Sequence, residues 1–363
     1  MANAQSPPIK AAQQRGLSIV ELLISLVIGM AVIAGAIQVM VSSKRSFMDQ
    51  DEVSFIQTNA RYALDLMGKD IRMAGYLGCA APGSVEKADA IDKTKLDEKL
   101  RVYVSLEGLR GFEWGSTSAE FPDDFKDQAT ADTDALIIRR AGDRELNIQE
   151  HKSTTQTITL WENHNYAVGS TLMVSDANCR NVGLFQLSGP SAVPSPVIQH
   201  KQAGTSNCTS IIKGEFSCSG SPGPPAPPAS SFYSPGSKLM EFVAHAYYIG
   251  ESTVIPGMPA LRRQVFNANG SPSTSSEEIA LGVEDMKILY GIDSNGNGNV
   301  DEMRKASEIT DWARVISVQV SLVFRSQMPV LSIEEKKTLA GTEYNDRYMR
   351  QVVNSTIRIR NRG

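Results

Sequence analysis

Apolar residues along this chain follow three regimes. From residue 22 to residue 43 no side chain is charged. At about 1.5 Å per residue such a run makes a helix roughly 33 Å long, enough to cross a bilayer. The pattern then thins to a stripe. Val53, Ile56, Ala60, Leu64, Met67, Ile71 and Ala74 recur every three or four residues, the spacing of an amphipathic helix, and Gly75 is a natural stop. The two stretches predict one long helix over 17–74, its outer half packed on whatever follows. Past residue 75 the period falls to two. Strands are predicted over 157–161, 170–174 and 313–324, with further candidates at 134–140, 240–249, 261–266, 284–290 and 353–360. Within 313–324, Val318, Val320, Leu322 and Phe324 face one way and Ser317, Gln319 and Ser321 the other, the signature of a half-buried antiparallel strand. The class predicted is α+β, a long N-terminal helix on a largely antiparallel β domain. Residues 219–237 hold six prolines and predict an exposed loop.

Composition narrows the function classes. The 363 residues are 41% hydrophobic and 21% charged, and 40 acidic against 36 basic residues give a net charge of -4. A nucleic-acid binder normally carries a basic stripe, which this balance argues against. One long uncharged run excludes a multi-span membrane protein, and no repeating period points to a solenoid or coiled coil.

The N-terminal region carries the sharpest chemistry. Lys10 and Arg15 precede the apolar run with no acidic residue among the first sixteen. Basic residues hold that end in the cytoplasm and direct the rest of the chain outward. Lys44 and Arg45 stand on the far side but are followed at once by Asp49, Asp51 and Glu52. A secretory signal is cleaved after its apolar run. Here a Gly16-Leu17 junction lies before it, and Glu21 sits inside it. A lone carboxylate at that depth costs several kcal/mol unless it is paired. Cleavage after Gly16 would create an α-amine at Leu17, able to neutralise Glu21 of a neighbouring subunit. A plain signal anchor would leave both features accidental.

The stretch R-G-L-S-I-V-E-L-L-I-S-L-V-I-G (15–29) resembles the processing motif of type IV prepilins. The resemblance implies cleavage at Gly16 by a prepilin peptidase, N-methylation of Leu17, and assembly through the apolar helix with Glu21 setting register. Many major pilins carry a proline midway along this helix, and residues 17–43 contain none, which favours a minor subunit. The segments 59–79 (N-A-R-Y-A-L-D-L-M-G-K-D-I-R-M-A-G-Y-L-G-C), 282–293 (G-V-E-D-M-K-I-L-Y-G-I-D) and the closing I-R-I-R-N-R look like the PilW family of minor type IV pilins. Residues 80–240 carry no matching motif. The division implied is a cytoplasmic leader 1–16, a transmembrane helix 17–43, its amphipathic continuation 44–78, and an exported domain 79–363. The implied location is the inner membrane and then the pilus surface. The implied partners are the prepilin peptidase, other minor pilins, the major pilin, the inner-membrane assembly platform and a tip adhesin, with no nucleic acid. Minor pseudopilins of type II secretion share the leader and the 59–75 pattern, whereas 290–302 leans to the pilus. A membrane-anchored periplasmic enzyme is the alternative from another class.

Enzymatic signatures are sparse, and the expectation is no catalytic activity. The histidines at 151, 164, 200 and 245 are scattered without ligand spacing, and no phosphate loop or nucleophile elbow occurs. One loop stands out. Asp293, Asn295, Asn297 and Asp301, with Gly298 at the sixth position, follow the first half of a calcium loop. Arg304 occupies the twelfth position, where Glu is usual, so Glu302 and Asn299 complete the candidate calcium set. The competing reading is an ion-free Asn/Gly turn. Four cysteines, Cys79, Cys179, Cys208 and Cys218, contain no C-x-x-C pair. In an exported domain they can form disulfides. Cys208 with Cys218 closes a short loop and leaves Cys79 for Cys179, one of three pairings open to four cysteines.

Overall fold

The computed structural model describes residues 18–78, 85–117, 119–218 and 232–362. The chain divides into two compact units, residues 1–52 and 53–363. A single helix, Ile19–Arg72, spans 54 residues and continues from the first unit into the second. In the first unit its apolar side chains point outward all round: Ile19, Val20, Leu22, Leu23, Val27, Val32 and Val39 are all exposed. This helix is long and apolar enough to cross a membrane.

In the second unit the same helix is one-sided. Ile56, Ala60, Ala63, Met67 and Ile71 are buried and join a core cluster with the strands, while Arg61 and Tyr62 face solvent. The helix ends where the stripe ends. Gly75 has φ +69, a left-handed backbone that a side chain would strain, and its N–H donates to the Arg139 carbonyl at 2.9 Å. The turn thereby hands the chain onto the β domain.

That domain holds a four-stranded sheet, a twelve-stranded sheet and a two-stranded ribbon. The four-stranded sheet is antiparallel in the order Glu302–Arg304, Val283–Ile292, Val315–Arg325, Arg350–Arg358. Val318, Val320, Leu322 and Phe324 lie in the core cluster shared with the helix. Ser317, on the opposite face, is also buried. The turn after Val283–Ile292 explains it: a Cβ on Gly291 would meet both Ser317 Oγ and Val300. The strand is therefore less one-sided than alternation alone predicts, and its first predicted residue, Ala313, belongs to a 3-10 turn (Trp312–Arg314).

The twelve-stranded sheet is organised by Lys238–Glu251, a 14-residue strand. It pairs antiparallel with Leu146–Lys152 and Thr171–Ser175 at one end and with Ala135–Ala141 and Pro259–Asn267 at the other. Its side chains alternate between two cores. Tyr247 and Ile249 pack toward the helix, and Ala244, Ala246 and Tyr248 enter a second cluster with Phe125 and Phe242. A strand buried on both faces reads as a continuous apolar run, as A-Y-Y-I does here. Pairing is antiparallel except where Glu86–Asp89 runs parallel to Asn181–Gln186 and Phe216–Ser217. The ribbon, Glu335–Leu339 with Thr342–Asp346, separates the last two strands of the small sheet in sequence. Of the 219–237 loop, residues 219–231 lie outside the described residues; Tyr233 is fully buried.

Candidate functional site

The N-terminal candidates come first. Gly16 and Leu17 lie outside the described residues. Glu21 sits exposed in the first turn of the helix and makes no ion pair among the described residues. Its carbonyl accepts from Ser25 Oγ at 2.7 Å, and the helix runs on through it to Arg72.

At the other end of the helix a carboxylate is used inward. Asp70 Oδ2 accepts from His245 Nδ1 at 2.8 Å and from the Tyr247 hydroxyl at 2.6 Å, with Arg263 at 3.6 Å. Arg263 is held in turn by Glu277 at 2.7 Å. Burial would raise the Asp70 carboxyl, but His245, Tyr247 and Arg263 outweigh it and hold the group below the usual carboxylate range. Tyr247 is pushed the opposite way, by burial and by Asp70 itself. The cluster fixes the helix to the Lys238–Glu251 strand. No sequence signal announces it, because its members lie far apart along the chain.

The structure also brings together two of the scattered histidines. His151 Nε2 and His200 Nε2 are 3.0 Å apart. His200 Nδ1 lies 2.9 Å from the Ser210 carbonyl, which can only accept, so that nitrogen carries the proton. His151 Nδ1 accepts the Tyr233 N–H at 3.0 Å. His151 must therefore donate from Nε2 to His200 Nε2, and both rings are neutral. Burial pushes His151 down to about 4, helped by Lys213, and His200 down to about 3, helped by His151. Phe185 and Tyr233 flank the pair. This is a polar core element, not a ligand set.

The Asp293 loop joins Val283–Ile292 to Glu302–Arg304, with Gly296 and Gly298 at φ +76 and +79. Asp293 accepts backbone N–H groups from Gly296 at 2.6 Å, Gly298 at 2.7 Å and Asn297 at 3.2 Å. Burial would raise its carboxyl, but these amides hold it low. Asp301 accepts from the Ser294 hydroxyl and amide and from Asn295 Nδ2, which lowers it as well. Asn295 and Asn297 Oδ1 accept from the amides two residues on, and Glu302 pairs with Arg304 at 2.6 Å. The loop is thus closed by its own bonds, and a cation there would have to replace several of them. Among the described residues, no group of three or more His, Cys, Asp or Glu side chains is placed to hold a metal ion.

Cys208 and Cys218 form a disulfide with Cα atoms 6.0 Å apart. Cys179 is disulfide-bonded too, and Cys79 lies outside the described residues. A cleft of about 560 Å³ is lined by Glu113, Trp114, Asp134, Lys287 and Lys305. Burial pushes Asp134 up to about 6 there, against a hydrogen bond from the Ile288 amide and the charge of Lys287. Lys305 pairs with Glu113 across the lining at 3.3 Å, while Lys287 is held by Asp285 at 3.5 Å. The feature that stands apart from ordinary domain architecture is the outward apolar stretch of the helix in the first unit.

No curated protein and no solved structure matches the chain. Residues 246–361 match the family model described as Type IV Pilus-assembly protein W. That segment contains the whole four-stranded sheet and the Asp293 loop, and through it the chain is related to type IV pilus assembly.

Proposed function

We propose that this chain is a minor type IV pilin, cleaved after Gly16, N-methylated at Leu17 and built into a tip or initiation complex with other minor pilins. The observation that carries the reading is the helix. Residues 19–41 present apolar side chains in every direction, and a helix that is hydrophobic all round needs hydrocarbon or other helices around it. Both surroundings are available to a subunit that waits in a bilayer and then enters a fibre core. The match of residues 246–361 to a pilus-assembly family supports the same machine over type II secretion. In this mechanism Glu21 takes the α-amine of the neighbouring subunit, and the β domain supplies partner surfaces instead of catalysis.

The test is Glu21→Ala in the full chain. Removing a carboxylate from an apolar run lowers its transfer cost, so membrane insertion is retained or improved. Incorporation into surface fibres is lost, because the partner amine has no counter-charge. Incorporation at the wild-type level would contradict the proposed role of Glu21, and secretion defects with normal pili would move the chain to the secretion machine.

A further inference from the structure

We infer that the free edge of the Arg350–Arg358 strand is a docking site for an extended strand of a different subunit, added to the four-stranded sheet; this rests on the assembly reading above. Arg350–Arg358 pairs on one side only, with Val315–Arg325, in an antiparallel register without a shift from Ser317↔Arg358 to Arg325↔Arg350. Hydrogen-bonded and non-bonded pairs alternate along such a ladder. Ile359 donates to Ile316, and Ser326 donates to Met349, so the odd-numbered residues between them bond inward. The N–H and C=O groups of Arg350, Val352, Asn354, Thr356 and Arg358 consequently point away from the sheet, with no partner strand among the described residues. The next outward amide, Arg360, is taken by the Arg72 carbonyl at 3.0 Å, which ends the open stretch.

Proteins blunt sheet edges with charge, proline, shortness or bulges, and the other described edges show these devices. Glu302–Arg304 has three residues and Phe216–Ser217 two. Ser195–Gln199 contains Pro196 and a register shift. Ser273–Leu281 carries Glu277 and Glu278 and meets a register shift in its partner. The ribbon bears Glu335, Lys336, Lys337 and Glu343. Leu109–Phe112 is an edge of four residues, so among the described residues only Arg350–Arg358 presents a long, regular edge with an uncharged centre, Q-V-V-N-S-T-I. Val353, partly buried against the core, offers an added strand an apolar contact beside the ladder.

The groups on offer fix the occupant's chemistry: an extended, uncharged backbone with apolar residues on alternate positions. A second copy is the competing occupant, and Arg350 would not repel it, since Glu284 and Asp346 each hold its guanidinium at 2.6 Å; the dimer measurement below separates the two.

Three variants of the full chain test this by incorporation into surface fibres and by melting of the purified protein in detergent. Asn354→Pro deletes one outward N–H and no ladder bond, a placement edge strands tolerate. Asn354→Ala changes only the side chain, and Thr356→Lys places a charge on the edge while keeping every amide. The expected result is a loss of incorporation of roughly tenfold for Asn354→Pro and Thr356→Lys. Asn354→Ala should assemble like wild type, and all three should melt close to it. Should Asn354→Pro fail to fold, Thr356→Lys decides. Wild-type incorporation of Thr356→Lys together with a folded Asn354→Pro would overturn the docking site and leave the pilin reading standing. A purified wild-type dimer that Asn354→Pro dissociates would assign the edge to a second copy and overturn the occupant. Absence of the wild-type chain from fibres would overturn both readings.

Discussion

Residues 19–41 and residues 53–72 lie on one helix, yet they use apolar side chains in opposite ways. The first stretch exposes them on every side; the second gathers Ile56, Ala60, Met67 and Ile71 on one buried face. Charge follows the same division. Glu21 stands outward without an ion-pair partner among the described residues, whereas Asp70 is buried among His245, Tyr247 and Arg263. Helical propensity is shared by both stretches, so what differs is the medium each is built to meet. The second stretch finds its medium inside its own domain. The first must find it in lipid or in neighbouring helices.

Substitutions can break this comparison, beginning with the core. Met67→Ala removes a fully buried side chain from the helix–sheet cluster and should cost about 2–5 kcal/mol. Val27→Ala, in the exposed stretch, should leave the domain's unfolding within about 0.5 kcal/mol of wild type. Denaturant melts of the full chain in detergent compare them, and equal losses would mean that the two stretches are not distinct.

Acid comes next in size. His151 and His200 are neutral in the fold, at about 4 and about 3, but titrate near 6.5 when unfolded. A folded value below the unfolded one gives stability that is complete above pH 6.5 and is lost as pH falls toward 4. The loss should be on the order of 2–4 kcal/mol for the pair. Melting temperature should fall across that window in wild type and fall less in His151→Gln; parallel curves would remove the histidines from the account.

Asp70 acts at lower pH. Its folded carboxyl is depressed, so its contribution is present above the unfolded value near 3.9 and disappears as pH drops through the folded one. Asp70→Asn should cost about 1–3 kcal/mol at neutral pH, because His245 and Arg263 lose a buried charged partner. The gap between variant and wild type should close below about pH 4. A constant gap would mean that packing, not charge, ties the helix down.

The Asp293 loop offers the smallest effect. Its carboxylates are already taken by loop amides and by Ser294 and Asn295, so melting in millimolar calcium and in chelator should coincide. A calcium-dependent rise that vanishes in Asp293→Ala would instead establish a weak site of the extracellular kind.

Much of the fold is legible in the sequence where one face dominates. The 3.6-residue stripe of 53–74 locates a real element because burial on one side imposes the period; the alternation of 313–324 also locates a real strand, although its second face is largely covered as well. Elements without that asymmetry leave no mark. Asn181–Gln186 is buried at every position and too short to distinguish from a buried helical segment. Ser273–Leu281 and the ribbon are mostly exposed and polar, so pairing alone defines them. The polar clusters are illegible for another reason. His151 meets His200 because the sheet's order brings their strands near one another, and Asp70 meets His245 because the helix packs on Lys238–Glu251; local spacing holds no trace of either.

The central claim is that residues 19–41 belong to a processed, assembling subunit, and the most direct measurement is the mass and N-terminal residue of the chain recovered from the membrane. The account predicts a mature protein beginning at Leu17 and carrying one added methyl group, with Gly16→Leu leaving full-length precursor. A start beyond residue 40, which would discard the apolar run as an ordinary secretory signal, would contradict it.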